Sequence, residues 1–221
     1  MISKTTPKRA FTSPIRFFGS DQIEGMQKAV DIVAERAAKV AAKYVTVTLL
    51  IDSIMITDDG KHLDVDYNEE TERWEYQGIF NHPIDISDEN SFGLKNDEML
   101  TLVQLSSDYM NVNTYNGETE YSLHFENGIT GNKEPIAYEL SKKRIGTSIH
   151  WRFDSSLFLN LTMDIPITYY KDKLQELVKQ YPEKIFTLCI QPDECFLERF
   201  EYSCSENGDI KEKHSKIRGI I

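Results

Sequence analysis

The residues with the clearest chemical potential are Thr57-Asp58-Asp59-Gly60, which directly follow the apolar run Ile54-Met55-Ile56. This pattern predicts a carboxylate at the end of a buried strand, followed by a turn that can bend around a ligand. Such a carboxylate can accept a hydrogen bond from an exocyclic amine, as on adenine, and glycine lets the backbone approach a flat ring closely. The same four residues are also typical of an ordinary turn between two elements. Both interpretations stay open on these residues alone.

Length and composition indicate a soluble globular protein. The chain has 221 residues, of which 40% are hydrophobic and 28% are charged, so it is long enough to form a large domain with its own core. The sequence contains no apolar run long enough to cross a bilayer, and its first residues lack the apolar stretch of a secretory signal. We therefore expect a cytoplasmic protein with no membrane partner.

The charge pattern argues against direct DNA binding. The net charge is −11, whereas neutralising DNA phosphates requires clustered Lys and Arg. Two basic clusters exist, Lys142-Lys143-Arg144 and 211–218, and we interpret them as a solvated loop and a frayed tail. The three cysteines show no CxxC spacing and no neighbouring His, which favours free thiols over a zinc site.

Hydrophobic periodicity divides the chain into elements. A helix with one buried face is predicted over 21–43, because apolar residues recur there at steps of three and four. Strands at 45–51 and 54–57 form a predicted hairpin, and 61–97 is typical of a long functional or disordered loop. The remaining predictions are a short helix at 97–106, strands at 109–115, 119–126, 134–140, 147–153, 184–191 and 197–203, a tight turn at Asn116-Gly117, and a helix at 167–180.

This order of elements predicts an α+β fold, with a layer of helices on a mainly antiparallel, mixed sheet. Neither an internal repeat nor a linker interrupts the pattern. We therefore expect a single domain over 14–210, preceded by a flexible basic arm at 1–13 and followed by a basic tail at 211–221.

Several longer motifs resemble the N-terminal ATP-binding domain of the DNA gyrase B subunit, a type II topoisomerase of the GHKL superfamily. Pro14-Ile15-Arg16-Phe17-Phe18-Gly19-Ser20 is similar to the family's RPGMYIGS segment, and Thr57-Asp58-Asp59-Gly60-Lys61 is similar to its adenine box, TDNGRG. The most specific likeness is that of 142–149 and Arg152-Phe153-Asp154 to KKTGTTVRFKPDPxIF. Further similar segments follow in the family's order: Asp88-Glu89-Asn90-Ser91-Phe92-Gly93-Leu94, Tyr109-Met110-Asn111-Val112, His124-Phe125-Glu126-Asn127-Gly128 and Phe200-Glu201-Tyr202.

The resemblance implies an intact adenine side of the binding site. Asp58 would accept a hydrogen bond from the adenine amine, and Gly60 would give the ring room. The Gly146-Thr147 pair would lie beside that carboxylate, with Thr147 holding a water that bridges to the base. Apolar walls would come from Ile32, Ile56 and Ile149. The alternative is a buried Asp58 that is satisfied by a neighbouring Thr hydroxyl.

On the phosphate side, the resemblance implies altered residues. Asp31 takes the position of the family's general-base Glu, and Glu35 takes that of its magnesium-binding Asn. Asp31 is one methylene shorter than Glu, and displacing a general base by about 1 Å can cost on the order of a hundredfold in rate. Glu35 can ligate magnesium through oxygen but adds negative charge beside a triphosphate. The alternative for both is an ordinary solvent-facing carboxylate.

The ATP lid departs furthest from the family. The family has a glycine-rich turn of the type GLHGVG, whereas residues 93–103 of this chain lack the later glycines and carry Asp97 and Glu98. Carboxylates at a helix start satisfy the amides that would otherwise bind phosphate. His62 also replaces a glycine at the rim.

The function implied is a gyrase-B-like domain that binds an adenine nucleotide, with ATP and magnesium as its cofactors, and that has weak or no ATP hydrolysis by itself. One alternative is a degenerate ATPase that acts as a protein-interaction or regulatory module without binding ATP. Another is a site for a different small planar ligand. The family also implies a homodimer formed through the N-terminal arm, or another protein partner.

Overall fold

The computed structural model describes residues 22–69, 73–76, 100, 103–126, 129–130, 135–155, 158, 165–193 and 195–218. The predicted N-terminal arm, the segments at 14–20 and 88–94, and most of the lid at 93–103 lie outside these residues. Within the described part, no helix combines the length and apolarity that crossing a membrane requires.

The described residues form two long helices and ten strands. The helices are α1, Gln22–Val40, and α2, Ile167–Gln180. The strands are β1 Tyr44–Leu49, β2 Ile54–Asp58, β3 Val65–Asn68, β4 Arg73–Tyr76, β5 Ser107–Glu126, β6 Ile129–Thr130, β7 Ile136–Phe153, β8 Ile185–Asp193, β9 Phe196–Cys204 and β10 Ile210–Arg218.

Eight of these strands form one sheet in the order β10-β9-β8-β1-β2-β7-β5-β6, and β3 pairs with β4 separately. The strand pairs described are antiparallel except for β1 with β8, which is parallel. The predicted α+β fold, with helices on a mainly antiparallel mixed sheet, is confirmed. The hairpin of β1 and β2 and the helix at 167–180 are also confirmed.

One face of the sheet packs against both helices. Because side chains alternate along a strand, Ile54 and Ile56 of β2 face the core, together with Trp151 of β7. Alanines in α1, such as Ala29 and Ala37, are fully buried and let the helix approach the sheet closely. Full burial of one large apolar side chain contributes about 1.5–3 kcal/mol, so this layer provides most of the driving force for folding.

Strand β5 reverses direction within its own length. The side-chain Nδ2 of Asn113 donates to Glu120 Oε1 over 2.8 Å, and the Ser122 hydroxyl donates to Asn113 Oδ1 over 2.9 Å. In a straight strand, Asn113 and Ser122 would lie about 30 Å apart at 3.3 Å per residue. The predicted reversal at Asn116-Gly117 is therefore confirmed, and Gly117 has φ +112° there.

Strand β7 contains both strands that we predicted at 134–140 and 147–153. It is a single element, Ile136–Phe153, whose two halves pair antiparallel with the two halves of β5, 144–153 with 107–117 and 136–139 with 119–122. Because β5 reverses between its halves, β7 also reverses between Glu139 and Arg144. The cluster Lys142-Lys143-Arg144 lies at this reversal with its side chains exposed, as the solvated-loop interpretation expects.

The C-terminal segment is a strand rather than a tail. Ile210–Arg218 pairs along its whole length with β9. The His214 ring stacks on Phe200 with centroids 4.3 Å apart, and Glu198 accepts hydrogen bonds from both His214 and Lys216. These cross-strand contacts hold the segment despite its charge. The predicted domain end at 210 is therefore wrong.

The predicted long loop at 61–97 also contains regular structure. Val65–Asn68 and Arg73–Tyr76 form an antiparallel hairpin. Aromatic and β-branched residues such as Val65, Tyr67, Trp74 and Tyr76 favour extended backbone, although each alternation is too short to predict a strand. Of the predicted short helix at 97–106, residues 100 and 103–105 are helical in the described part.

The polar face of the sheet carries a half-buried histidine. His150 Nε2 lies 2.9 Å from the Tyr109 hydroxyl and 3.1 Å from that of Ser53. Burial lowers the pKa of His150, and the Asp52 carboxylate offsets this effect only in part. The folded protein therefore binds a proton at His150 less readily than the unfolded chain does.

We expect His150 to make stability fall as the pH drops. A pKa that is lowered in the folded state stabilises the protein above the unfolded value of about 6.5, and this contribution is lost as the pH falls through the folded value. The free energy of unfolding, measured by urea denaturation between pH 7.5 and 5, should decrease less steeply for His150→Asn than for the wild type. Equal slopes would contradict the assignment.

We expect Gly146→Ala to destabilise the fold more than Gly117→Ala. Both glycines have positive φ, which costs an L-residue about 1–2 kcal/mol. A Cβ at Gly117 meets open space, whereas one at Gly146 would lie 1.9 Å from the Asp58 carbonyl oxygen. Overpacking adds about 1–3 kcal/mol. Urea denaturation of the two variants measures the difference, and equal losses would show that the close contact relaxes freely.

Candidate functional site

Asp58, the last residue of β2, has a buried carboxylate. Its Oδ1 accepts the backbone N–H of Gly60 over 2.9 Å, and its Oδ2 accepts a hydrogen bond from Arg36 Nη1 over 3.2 Å. The Asp58 side chain is 2% exposed and that of Arg36 is 6% exposed. The carboxylate is therefore held from two sides, by the turn after β2 through Gly60 and by the end of α1 through Arg36.

The neighbouring carboxylate of Asp59 has a different use. Its Oδ1 accepts the backbone N–H groups of Lys43 and Tyr44, each over 2.9 Å, and so holds the start of β1. Of the acidic pair, Asp58 is the one that faces the interior beneath α1. The ordinary-turn interpretation thus describes Asp59, and the ligand interpretation concerns Asp58.

Both glycines beside Asp58 are required by backbone packing. A Cβ on Gly60 would lie 2.1 Å from the carbonyl oxygen of Val40 at the end of α1. Gly146 has φ +129°, and a Cβ there would collide with the carbonyl oxygen of Asp58. These contacts give Gly60 a structural role in closing the chain around Asp58, separate from the room for a ring that the sequence suggested.

Thr147 lies opposite Asp58 in the β2–β7 register. It is 0% exposed, and its hydroxyl has no hydrogen-bond partner among the described residues. A buried hydroxyl left without a partner costs about 1–3 kcal/mol, so this position suits a water or a polar ligand atom. Ile56 and Ile149 form the pair two positions along the register, on the same face of the sheet, and are buried. Ile32 packs at the margin of the core.

The electrostatics of Asp58 reflect its burial. Burial raises the pKa of this carboxyl, while the Arg36 charge and the Gly60 N–H lower it in part. A salt bridge alone would lower the pKa, but the desolvation of a carboxylate this deep outweighs the attraction of one guanidinium. Asp58 therefore gains from any additional donor.

The two predicted phosphate-side carboxylates lie against α2. The Tyr169 hydroxyl contacts a carboxylate oxygen of Asp31 and the Gln27 carbonyl oxygen. Lys173 Nζ donates to Glu35 over 2.7 Å and lies 3.8 Å from Asp31. Burial raises the pKa of Asp31, and Tyr169 and Lys173 offset this in part. Both carboxylates thus join the two helices, and their catalytic and metal-binding roles stay predictions.

Arg36 is the site residue that the sequence reasoning missed. It lies about 140° around the helix axis from Asp31, at 3.6 residues per turn, and it therefore contacts Asp58 rather than α2. Ile32 and Lys28 precede it by one and two turns on the same side of α1. Lys28, Ile32 and Arg36 thus place no carboxylate on the side of α1 that Arg36 directs toward Asp58. The sequence could have indicated Arg36, because it follows Ile32 by four residues and Ile32 was predicted to form a wall of the pocket.

The predicted magnesium ligand Glu35 is engaged by Lys173. Within the described ranges, no three His, Cys, Asp or Glu side chains are close enough together to hold a metal ion by themselves. At the rim, the half-buried His62 lies 3.4 Å from Asp64, its Nε2 facing the carboxylate.

We expect Asp31 and Tyr169 to be energetically coupled. Asp31→Ala and Tyr169→Phe should each lower the free energy of unfolding, and the double variant should lose less than the sum, by about 0.5–1.5 kcal/mol. A control cycle combines Tyr169→Phe with Asp66→Ala on the exposed β3 hairpin, which should be additive. Additivity of Asp31→Ala with Tyr169→Phe would contradict a structural role for this contact.

Comparison with known proteins gives a likeness in fold. Neither a family model nor a curated protein matches this sequence. Among solved structures, the 43K ATPase domain of Thermus thermophilus gyrase B in complex with an aminocoumarin matches with a TM-score of 0.71 and 14% identity. The match covers 97% of this chain and 51% of that one, so this chain spans about half of its length. The chain therefore has the fold of that ATPase domain.

Proposed function

We propose that this chain binds an adenine nucleoside or nucleotide at Asp58 and hydrolyses ATP weakly or not at all by itself. The observation that carries the proposal is the buried Asp58 carboxylate opposite the unpartnered Thr147 hydroxyl, in a gyrase-B-like fold. An acceptor beside a group that can donate or hold water suits the amine edge of adenine.

Asp58 has the capacity for a further donor. A carboxylate offers about four lone-pair positions, and the hydrogen bonds from Gly60 and Arg36 use two of them. Its raised pKa, caused mainly by burial, means that the ionised form is under-solvated. A ligand amine would supply a third donor and relieve part of that desolvation.

Weak hydrolysis is proposed because the candidate catalytic groups have other contacts. Asp31 and Glu35 are engaged by Tyr169 and Lys173 of α2, and the side of α1 next to Asp58 presents Arg36. A general base must lie within hydrogen-bond reach of the water that it activates. ATP with magnesium is one candidate ligand. We further propose that the domain acts within a type II topoisomerase, paired with a second copy of this chain or with another protein.

One observation favours the alternative of an interaction module that binds no nucleotide. Arg36 already provides Asp58 with a counter-charge in the absence of ligand. A carboxylate that already has a counter-charge gains less from a nucleotide than one without it, and direct binding measurements separate the two functions.

We expect adenosine, ADP and ATP to bind, and Asp58→Asn to weaken binding by about 10- to 150-fold, the equivalent of a hydrogen bond to a charged group. Isothermal titration calorimetry with and without magnesium measures the affinities. Asp59→Asn is the matched control, because that carboxylate bonds to the backbone of β1, and it should leave the affinity unchanged. Equal affinity of Asp58→Asn and the wild type would refute the contact. No binding by the wild type would favour the interaction module.

A further inference from the structure

We propose that the outer edge of β10 binds an acidic, extended segment of a partner protein, which adds to the sheet as a further strand. This surface is separate from the candidate nucleotide site, because three strands, β9, β8 and β1, lie between β10 and β2 in the sheet. The occupant is identified by the charge of β10 and by the regularity of its backbone.

Strand β10 offers a long and regular pairing edge. It stands at one end of the strand order, so it pairs with β9 on one side and with no described strand on the other. Its residues pair with β9 in one continuous register, without a bulge, and include no proline. Bulges, proline and short length are means by which proteins block the pairing of an edge strand. Because β10 has none of these, its backbone donors and acceptors stay open to an added strand.

The charge of β10 selects which strands can pair with it. The strand has four Lys or Arg and one Glu, which gives a net charge of +3, whereas the whole chain has a net charge of −11. Glu198 accepts a hydrogen bond from Lys216. By contrast, the exposed side chains of Lys211, Lys213 and Arg218 make no ion pair within the described part of the chain. Opposite charges on paired strands stabilise a sheet, so these free cations favour an acidic strand.

A second copy of the chain is the competing occupant, because identical edges can pair about a twofold axis. Each copy would bring a β10 strand with a net charge of +3 to that pairing, and like charges on paired strands are destabilising. Lysines on an edge strand oppose such pairing. An acidic strand removes this repulsion and neutralises the free cations, and the oligomeric state distinguishes the two occupants.

The two faces of β10 differ, which determines where the carboxylates of the partner lie. The His214 ring stacks on Phe200, and Lys171 Nζ of α2 lies 3.5 Å from the centre of the same Phe200 ring. Because side chains alternate along a strand, His214 faces the helices, whereas Lys211 and Lys213 face the opposite side of the sheet. The partner strand is therefore expected to carry carboxylates at alternate positions, on the face directed away from the helices.

Peptide binding to the full chain tests the proposal. The probe is a blocked peptide of the same length as β10 with alternating Glu and Thr, which is acidic and compatible with an extended backbone. Fluorescence anisotropy of the labelled probe measures its affinity, and hydrogen exchange locates the contact. We expect saturable binding that weakens as the salt concentration rises, with slower exchange of the β10 amides. The same peptide with Lys in place of Glu should not bind.

Lys211→Gln combined with Lys213→Gln should weaken binding of the acidic probe about 2- to 30-fold, as expected for the loss of two exposed ion pairs. Lys39→Gln combined with Lys179→Gln makes the same change in net charge at exposed positions of α1 and α2 and should leave the affinity unchanged. A probe with every backbone nitrogen methylated keeps its carboxylates but has no N–H to donate, so it should not bind. Thermal unfolding checks that each variant folds.

Several results would overturn the proposal. Equal binding of the acidic and basic probes, or unchanged affinity in the variant of Lys211 and Lys213, would show that the charge of β10 selects nothing. Equal binding of the methylated probe would show attraction without addition of a strand. Dimers in sedimentation with protected β10 amides, in the absence of probe, would identify a second copy as the occupant. Tighter binding of oligothymidylate than of the acidic probe, at the same amides, would assign the edge to nucleic acid.

Discussion

The burial of one carboxylate at the end of β2 is the constraint on which the candidate site depends. An ionised Asp in a desolvated position needs compensation, and Asp58 obtains it from the Gly60 N–H and the Arg36 guanidinium. Each donor restricts the chain around it. Gly60 must pass directly beneath the last turn of α1, and α1 must present its arginine toward the sheet. The position of the helix over β2 and the geometry of the site are therefore set by the same bonds.

Helix α1 divides its charged residues between two neighbours. Asp31 and Glu35 bind Tyr169 and Lys173 of α2, whereas Arg36 binds Asp58. One face thus joins the two helices and the other contributes to the site. The backbone fold is that of a gyrase B ATPase domain, and within it Asp31 and Glu35 contact the second helix.

Local periodicity predicted the elements whose signal is contained in a short window. The helix at 167–180 buries residues at steps of three and four, and β2 alternates buried and half-buried residues, so both could be recognised from the sequence. Strand β10 was missed because its residues are mostly charged and nearly all exposed, and it is held by its cross-strand partners. Composition alone cannot distinguish such a strand from a frayed tail.

In the candidate site too, the residues that belong to short motifs were predicted, and those placed by tertiary packing were not. Asp58, Gly146 and Thr147 belong to motifs with recognisable spacing, and the structure brings them together. Arg36 pairs with a residue 22 positions away, and the direction of Asp31 and Glu35 depends on where α2 packs. These contacts depend on tertiary packing. The sequence of a helix does not determine which neighbouring element each of its polar side chains contacts.

The parallel pairing of β1 with β8 has a consequence for how the chain folds. Val45 pairs with Phe186, so the middle of the sheet joins segments from the two ends of the described chain. Most other neighbours in the sheet are close in sequence, and α2, β8, β9 and β10 form one consecutive unit. Closing a long loop costs entropy before the contact is made, and a high proportion of distant contacts slows folding. The sheet thus has a seam between β1 and β8, and among the described strand pairs this one closes the longest loop.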